Sequence, residues 1–550
     1  MKSYIATFTA TVLMVFMAAW AIIVYDYGKI AFPDYWLWRP HGQMIAACDV
    51  GSIDVLGDST AIANIIPSRI GPGVRDFGFN GGSPIEAYYI AQSILRCEHK
   101  PKAVIVSFVP GELSAVHQKG VEPYFWGAFK FKIVDFSDAL EVLQVSRKFG
   151  DTTIAGPQSL FDFDYRIKAF LYSIKFPPYY SGDIEGYISG RVQRDPKTNR
   201  VMNQTIYYQT AFDDGHHFIG TKSEGTKLDD DVGRTGGLIA PVEDYYLKRM
   251  VEIFGRNGIE VYFVEPPRDR ISFLQYQPTL ADEYQGYLMK LEGEEPNFHV
   301  IDNGFKVWEP ALFGDQSHLN LRGALVLSGN LHNELGAAGA DGLTYPEGEL
   351  KPDNLYAMER PDTVFWNEPG AGGAVATSPA SNISLPDLAY PGDSAWLYKI
   401  SDAGSGDDGA GIQAPDIGLD AKTNYASSVF IKNIDAAKAG LRLVWPGGMK
   451  GSVTWDFGQH RISYSGTANS LNSGVTLCPG GWVQLFISGM TGPNAGPYAG
   501  PMISLPGSSD GAVYVYNPSL EKGLWPTNYC TLQPGEATNL PLVQKTAGAS

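Results

Sequence analysis

Basic surplus is the first thing this 550-residue chain lacks: 42 Lys and Arg stand against 59 Asp and Glu, a formal net charge of −17. Without spare cations it has little with which to displace the counterions of a phosphate backbone, so nucleic acid is excluded as its main partner. Cysteine is scarce as well, with four in all and no Cys-x-x-Cys pair. No Gly-rich phosphate loop and no redox-cofactor fingerprint occurs, so no cofactor is expected. Long apolar runs are missing everywhere except at one place.

That place is the N-terminus. From Tyr4 to Tyr25 the chain carries no charge over 22 positions, enough helix to cross the roughly 30 Å hydrocarbon core of a bilayer. Lys2 precedes the run and Asp26 follows it, which favours a tail on the non-cytoplasmic side. A cleaved signal peptide is the rival reading, with Met17–Ala21 as a small-residue cleavage site. The retained anchor is preferred because the apolar run continues past that point. The cysteines fit the same compartment. Cys48 and Cys97 each precede an apolar strand, and neighbouring parallel strands would bring the two thiols together; Cys478 and Cys530 would form a second pair. One pair per domain suits an oxidising milieu, and four buried free thiols are the alternative.

Residues 50 to 335 alternate strand and helix. "SIDVLG" (52–57) and "AVIVSFVP" (103–110) are short branched-apolar runs suited to strands buried on both faces. "VRDFGFNGG" (74–82), "IEVYFVEPP" (259–267) and "FHVIDNG" (298–304) complete the set. "SPIEAYYIAQSILRC" (83–97) is a helix with Ser83 as N-cap and Pro84 in its first turn. Another helix runs over 242–258 and stops at Gly258. Such units predict an α/β domain with a parallel sheet between two helical layers. The stretch 112–240 breaks the rhythm and is read as an insertion over the sheet's C-terminal edge. Its "DDGHHF" (213–218) gathers acids and histidines, but adjacent histidines usually occupy a solvated loop, and no metal is assigned. Beyond a linker at 336–360, short alternating strands between Gly, Pro, Ser and Asn clusters predict a separate β-sandwich over 361–540. The last dozen residues are expected to fray.

Three stretches of the first domain carry chemistry. Ser59 stands where a strand gives way to a helix, and locally it is either a nucleophile or only the cap of that helix. Asp315 and His318, three residues apart after the last strand, suit an acid that orients an imidazole base; the alternative is a capping Asp beside a surface His. Gly78, Asn80 and Gly81 form a turn able to present N–H and amide donors.

Together these stretches resemble the SGNH (GDSL-type) hydrolase family. Gly57-Asp58-Ser59 matches its first block, Gly78 the turn glycine of its second, and Asp315-Gln316-Ser317-His318 its closing Asp-x-x-His. The resemblance implies a three-layer flavodoxin-like domain in which Ser59 is the nucleophile, His318 the base and Asp315 its orienting partner. Ser59 and Gly78 N–H groups would form the oxyanion hole. The chain departs from the family at the third block, where an Asn is expected and residues 108–113 read "FVPGEL"; Asn80 is the candidate substitute. "FNGGSPIEAYY" and "DQSHLNLRGA" look like the extracytoplasmic branch that moves acetyl groups on polysaccharides. That branch implies an inner-membrane, single-pass protein with periplasmic domains, a polysaccharide substrate and a membrane-bound acyl-donor transporter as partner. The missing Asn supports a second possibility, a catalytically weak glycan-binding or assembly factor.

The C-terminal domain has a resemblance of its own. "GAVYVYNPSLEKGLWPTNYCTL" is similar to the closing strand of carbohydrate-binding jelly rolls, through Leu520, Glu521, Gly523, Thr527 and Tyr529. Trp396, Trp445, Trp455, Trp482 and Trp525 are candidate sugar platforms, although most tryptophans in a sandwich belong to its core.

Overall fold

The computed structural model describes residues 2–114, 125–150, 161–188, most of 207–339 and most of 417–526, apart from single positions, with isolated strands elsewhere in the C-terminal part. Helix α1 (Lys2–Asp26) is continuous. Its Tyr4–Tyr25 stretch has a mean hydropathy of 2.2 and almost no buried residues, so it is apolar and long enough to cross a membrane. A second helix, α2 (Pro33–Ala46), leads to the first domain.

That domain runs β1 (Ile53–Gly57), α3 (Ser59–Asn64), α4 (Pro67–Ile70), β2 (Val74–Asp76), α5 (Pro84–Leu95) and β3 (Ala103–Ser107). After the insertion come α6 (Pro241–Gly255), β4 (Glu260–Val264), α7 (Pro278–Glu294), β5 (Phe298–Ile301) and α8 (Leu321–Ala337). The five strands are all parallel, in the order β2-β1-β3-β4-β5. Every residue of β1 and β3 is buried, because helices cover both faces of the sheet. Alternate side chains choose the layer. Leu56, Val104 and Val106 join the core beneath α5, α6 and α7, which includes Tyr246, Phe254 and Leu288. Val55 and Ile105 face the other layer with Ile65, Ala324 and Leu327 of the α3, α4 and α8 side. Ser83 caps α5 and forms a reciprocal capping box with Glu86. Cys48 and Cys97 are joined by a disulfide between the ends of α2 and α5, with Cα atoms 5.5 Å apart. Cys478 is disulfide-bonded as well; its expected partner Cys530 lies outside the described residues.

The second half is an antiparallel sandwich. One sheet centres on Asp510–Lys522, Asn424–Asn433 and Trp482–Met490, the other on Lys438–Trp445 and Met449–Asp456. Val429, Leu441, Leu485 and Val515 fill the space between them. Asn354–Ala357, within the stretch expected to be linker, pairs with Asp510–Lys522. Ala537–Pro541, at the edge of the stretch expected to fray, pairs antiparallel with Gly304–Trp308 of the first domain.

Candidate active site

The strand order reverses between β1 and β3, and the crevice outside the C-terminal ends of such strands is where open α/β sheets hold ligands. Ser59 lies there, two residues beyond Gly57, the partner of Ser107 in the β1–β3 register. The bend that delivers it depends on Gly57. Its φ is +157°, and a Cβ at that position would stand 2.0 Å from the Ser107 carbonyl oxygen.

Ser59 is not the cap of α3. Asp58 is: its Oδ1 accepts from the Thr60 N–H at 2.7 Å and from the Thr60 hydroxyl at 2.6 Å. Its Oδ2 accepts from the Val109 N–H at 2.8 Å, so the turn after β3 is fastened to the Gly57–Ser59 bend through its backbone. Asp58 is buried, and desolvation raises its pKa against the opposing pull of Thr60, Val109 and the Arg268 charge. Arg268, buried just past β4, is a cation at this end of the sheet that belongs to none of the sequence motifs. Its place directly after "VEPP" was the available signal.

Asp315 and His318 meet within one tight loop, closed by a bridge between Phe313 and Leu319 and by the Gly314 N–H on the His318 carbonyl at 2.9 Å. The His318 ring Nδ1 lies 2.8 Å from Asp315 Oδ2 and 3.0 Å from Oδ1. Oδ1 also accepts the Ser317 and His318 N–H groups, each at 2.8 Å. Partial burial works against the Asp315 carboxylate, yet the bond and charge of His318 and these two amides bring its pKa down to about 2. An ionised carboxylate only accepts, so Nδ1 carries the proton and Nε2 is left as the basic nitrogen. The imidazole is 20% exposed, open enough to exchange a proton. Asn64 of α3 ties this loop to the serine element, its Oδ1 accepting the Leu319 N–H at 2.8 Å. The three predicted residues therefore share one end of the sheet. Among the described residues no hydrogen bond joins Ser59 to His318.

Two of the expected oxyanion donors, Gly78 and Asn80, are otherwise engaged. The Gly78 N–H donates to Asp76 Oδ1 at 2.7 Å, while the space beside its Cα is bounded by the Asp58 carbonyl and Ile62. Asn80 Nδ2 donates to Asp34 of α2 at 2.9 Å.

The stretch 213–218, read as a solvated loop, is instead packed onto the domain, with Asp213, Gly215 and His216 buried and the others half-buried. Asp213 and His216 are both buried and bonded, Oδ2 to Nδ1 at 2.6 Å. The Asp76 N–H donates to the Asp214 carbonyl at 2.8 Å, and the His217 N–H to the Ile62 carbonyl at 2.8 Å. The segment thus closes the edge of β2 and crosses the end of α3. Desolvation, then the charges of His216, His318 and His41, push the His217 pKa down to about 3, so a neutral imidazole stands beside the Asp315–His318 loop. Sequence reasoning missed it because nothing local signals burial. No group of metal-binding side chains occurs among the described residues.

Of the tryptophans, Trp455, Trp482 and Trp525 are buried in core clusters. Trp396 and Trp445 belong to strands Ala395–Ser401 and Lys438–Trp445. Leu520 and Glu521 are buried, and Thr527 and Tyr529 lie outside the described residues.

No family model matches the chain, and no curated protein matches it. Solved structures similar to part of it include the CBM22-1 xylan-binding domain from Paenibacillus barcinonensis Xyn10C, at 12% identity and a TM-score of 0.19, covering 32% of this chain and 97% of that one. The enzymatically active domain of Bacteriophage CBA120 tailspike protein 4 is similar at 11% identity and 0.16, covering 31% and 21%. A cycloisomaltooligosaccharide glucanotransferase of Paenibacillus sp. is similar at 9% identity and 0.18, covering 58% and 47%.

Proposed function

We propose that the protein is an SGNH-type serine O-acetyltransferase or acetylesterase, anchored by α1, that acts on a polysaccharide outside the cytoplasm. The observation that carries this reading is the division of labour at α3. Asp58 supplies the cap, which leaves the Ser59 hydroxyl with no hydrogen bond among the described residues at the switch point, while Asp315 presents His318 with Nε2 as its basic nitrogen. In the reaction, Ser59 Oγ attacks the acyl carbon and its proton passes to His318 Nε2. The leaving oxygen takes that proton as the acyl–oxygen bond breaks, giving acyl-Ser59. A sugar hydroxyl, or water in an esterase, then attacks the acyl carbon, loses its proton to His318 and restores Ser59. The Ser59 N–H would face the developing oxyanion, with Gly78 joining it once its amide leaves Asp76.

The sandwich would hold the glycan in this reading, and a membrane transporter would deliver the acyl donor. The second reading, a glycan-binding assembly factor, is favoured by the Gly78 and Asn80 donors being bonded elsewhere. Turnover of p-nitrophenyl acetate by the full chain and by Ser59→Ala separates the two. The catalytic reading expects a loss of about 10⁴-fold or more in the variant; equal rates would remove it. Acceleration by an acceptor glycan marks a transferase, and indifference to it an esterase.

A further inference from the structure

Helix α1 is not bare along its whole length. Phe16 packs on Phe176 with ring centroids 5.5 Å apart. Trp20 Nε1 donates to the Ile174 carbonyl at 2.9 Å, and Lys175 Nζ to the Ile23 carbonyl at 3.4 Å. All three partners belong to the turn that follows helix Phe161–Ser173 in the insertion. At 1.5 Å per residue, Phe16 stands about 13 Å along the helix from Tyr25. If Tyr4–Tyr25 spans a bilayer, that depth is hydrocarbon. A piece of the folded domain therefore runs alongside the apolar span.

The same piece exposes apolar side chains. Phe170 is 50% exposed, Ile174 39% and Ile167 36%. Scattered apolar residues on a soluble surface need no explanation, but these adjoin a helix whose own Leu13, Met14 and Val15 are 58 to 71% exposed. Lys132 lies close enough to Lys175 for their charges to repel. Lys175, on the turn that carries Ile174, and Lys132 within reach of its charge are cations of the kind that meet lipid phosphates above acyl chains.

We propose that the hairpin from Phe161 to Tyr180 is a second membrane contact, which sinks Phe170 and Ile174 into the leaflet nearest the folded domains and sets Lys132 and Lys175 at its headgroups. The proposal rests on α1 being a retained span. Its consequence is orientation. A single helix leaves the domain free to swing, whereas two contacts fix which way the Ser59 crevice faces.

The test places photoreactive benzoylphenylalanine singly at Met14, Phe170, Ile174 or Ile434 of the full chain, in nanodiscs of phosphatidylethanolamine and phosphatidylglycerol. Ile434 is an exposed position on the sandwich. Irradiation and mass spectrometry should find acyl-chain adducts at Met14, Phe170 and Ile174, and their loss at Ile434. Adducts at Met14 with none at Phe170 and Ile174, or with crosslinks there only to protein, would overturn the hairpin's role. Absence of lipid adducts at Met14 as well would overturn the span and the proposal together.

Discussion

Asp58 and Ser59 stand side by side at the head of α3, and only the first is tied into it. Substituting Ser59 by Ala is therefore expected to shift folding stability by no more than about 0.5 kcal/mol. Asp58→Ala removes a cap and leaves the Thr60 and Val109 N–H groups short of an acceptor, which should cost about 2 kcal/mol or more. Chemical denaturation of both variants checks this, and equal losses would return Ser59 to a capping role. Asp54, inside β1, gives a pH test. Its Oδ1 accepts the Gly51 N–H at 2.7 Å, but burial dominates and raises its pKa to about 8. An acid with a raised folded pKa contributes stability that is full below its unfolded value near 4 and is lost as pH climbs through 8. Asp54→Asn keeps an acceptor for Gly51 without a charge. Its melting temperature relative to the parent should rise between pH 5 and pH 9, and a constant difference would contradict the assignment. These residue-scale features were unevenly legible. Asp315 and His318 could be read because their partnership is local, three residues within one loop. That Asp58 and not Ser59 is the cap could not, since both side chains suit the position.

At the scale of elements, legibility followed periodicity. The strands β1 and β3 announced themselves as unbroken apolar runs, and Ser83-Pro84 marked the start of α5. Helix α2 gave no such signal, because Pro40 and Gly42 interrupt "PDYWLWRPHGQMIA" and leave no clean apolar stripe. The segment 213–218 was hidden for a different reason. Its burial comes from backbone bonds to Asp76 and Ile62, more than a hundred residues earlier, and backbone pairing of that kind leaves no pattern in side chains. Gly215 is its fulcrum. Its φ is +104°, and a Cβ there would stand 2.2 Å from the Asp76 carbonyl oxygen. Gly215→Ala should cost about 3 kcal/mol, from backbone strain and the clash together. Gly220 offers the control: its φ is +125°, but nothing stands within 4 Å of the added carbon. Gly220→Ala should show only the strain, about 1 kcal/mol. If the two variants denature alike, the segment does not pack on β2 as described.

For the whole molecule, the question is whether the two folded halves behave as separate bodies, as the change of composition near residue 350 suggests. Their contacts argue otherwise. Trp525, from the end of the sandwich, is 4% exposed and shares a core cluster with Ile65 and Ile66, between α3 and α4, and with Phe486. Its Nε1 donates to Asp213 Oδ2 at 2.6 Å, the oxygen that also holds His216. Arg69 of α4 donates to the Trp525 carbonyl at 3.2 Å and to that of Pro526. The sandwich thus reaches the segment that flanks the Asp315–His318 loop, and Ala537–Pro541 adds a strand beside Gly304–Trp308. A tryptophan read as a sugar platform is instead a bolt between halves. Truncating so large a buried side chain typically costs 3 to 5 kcal/mol, and here it also strips Asp213 of a donor. Trp525→Ala is therefore expected to lower the melting temperature of both halves, followed by far-ultraviolet circular dichroism for the helical domain and by aromatic signal for the sandwich. A loss confined to the sandwich, with the helical transition unmoved, would show that the α/β domain does not depend on its neighbour. If both shift together, the end of the chain is what steadies the elements around Ser59.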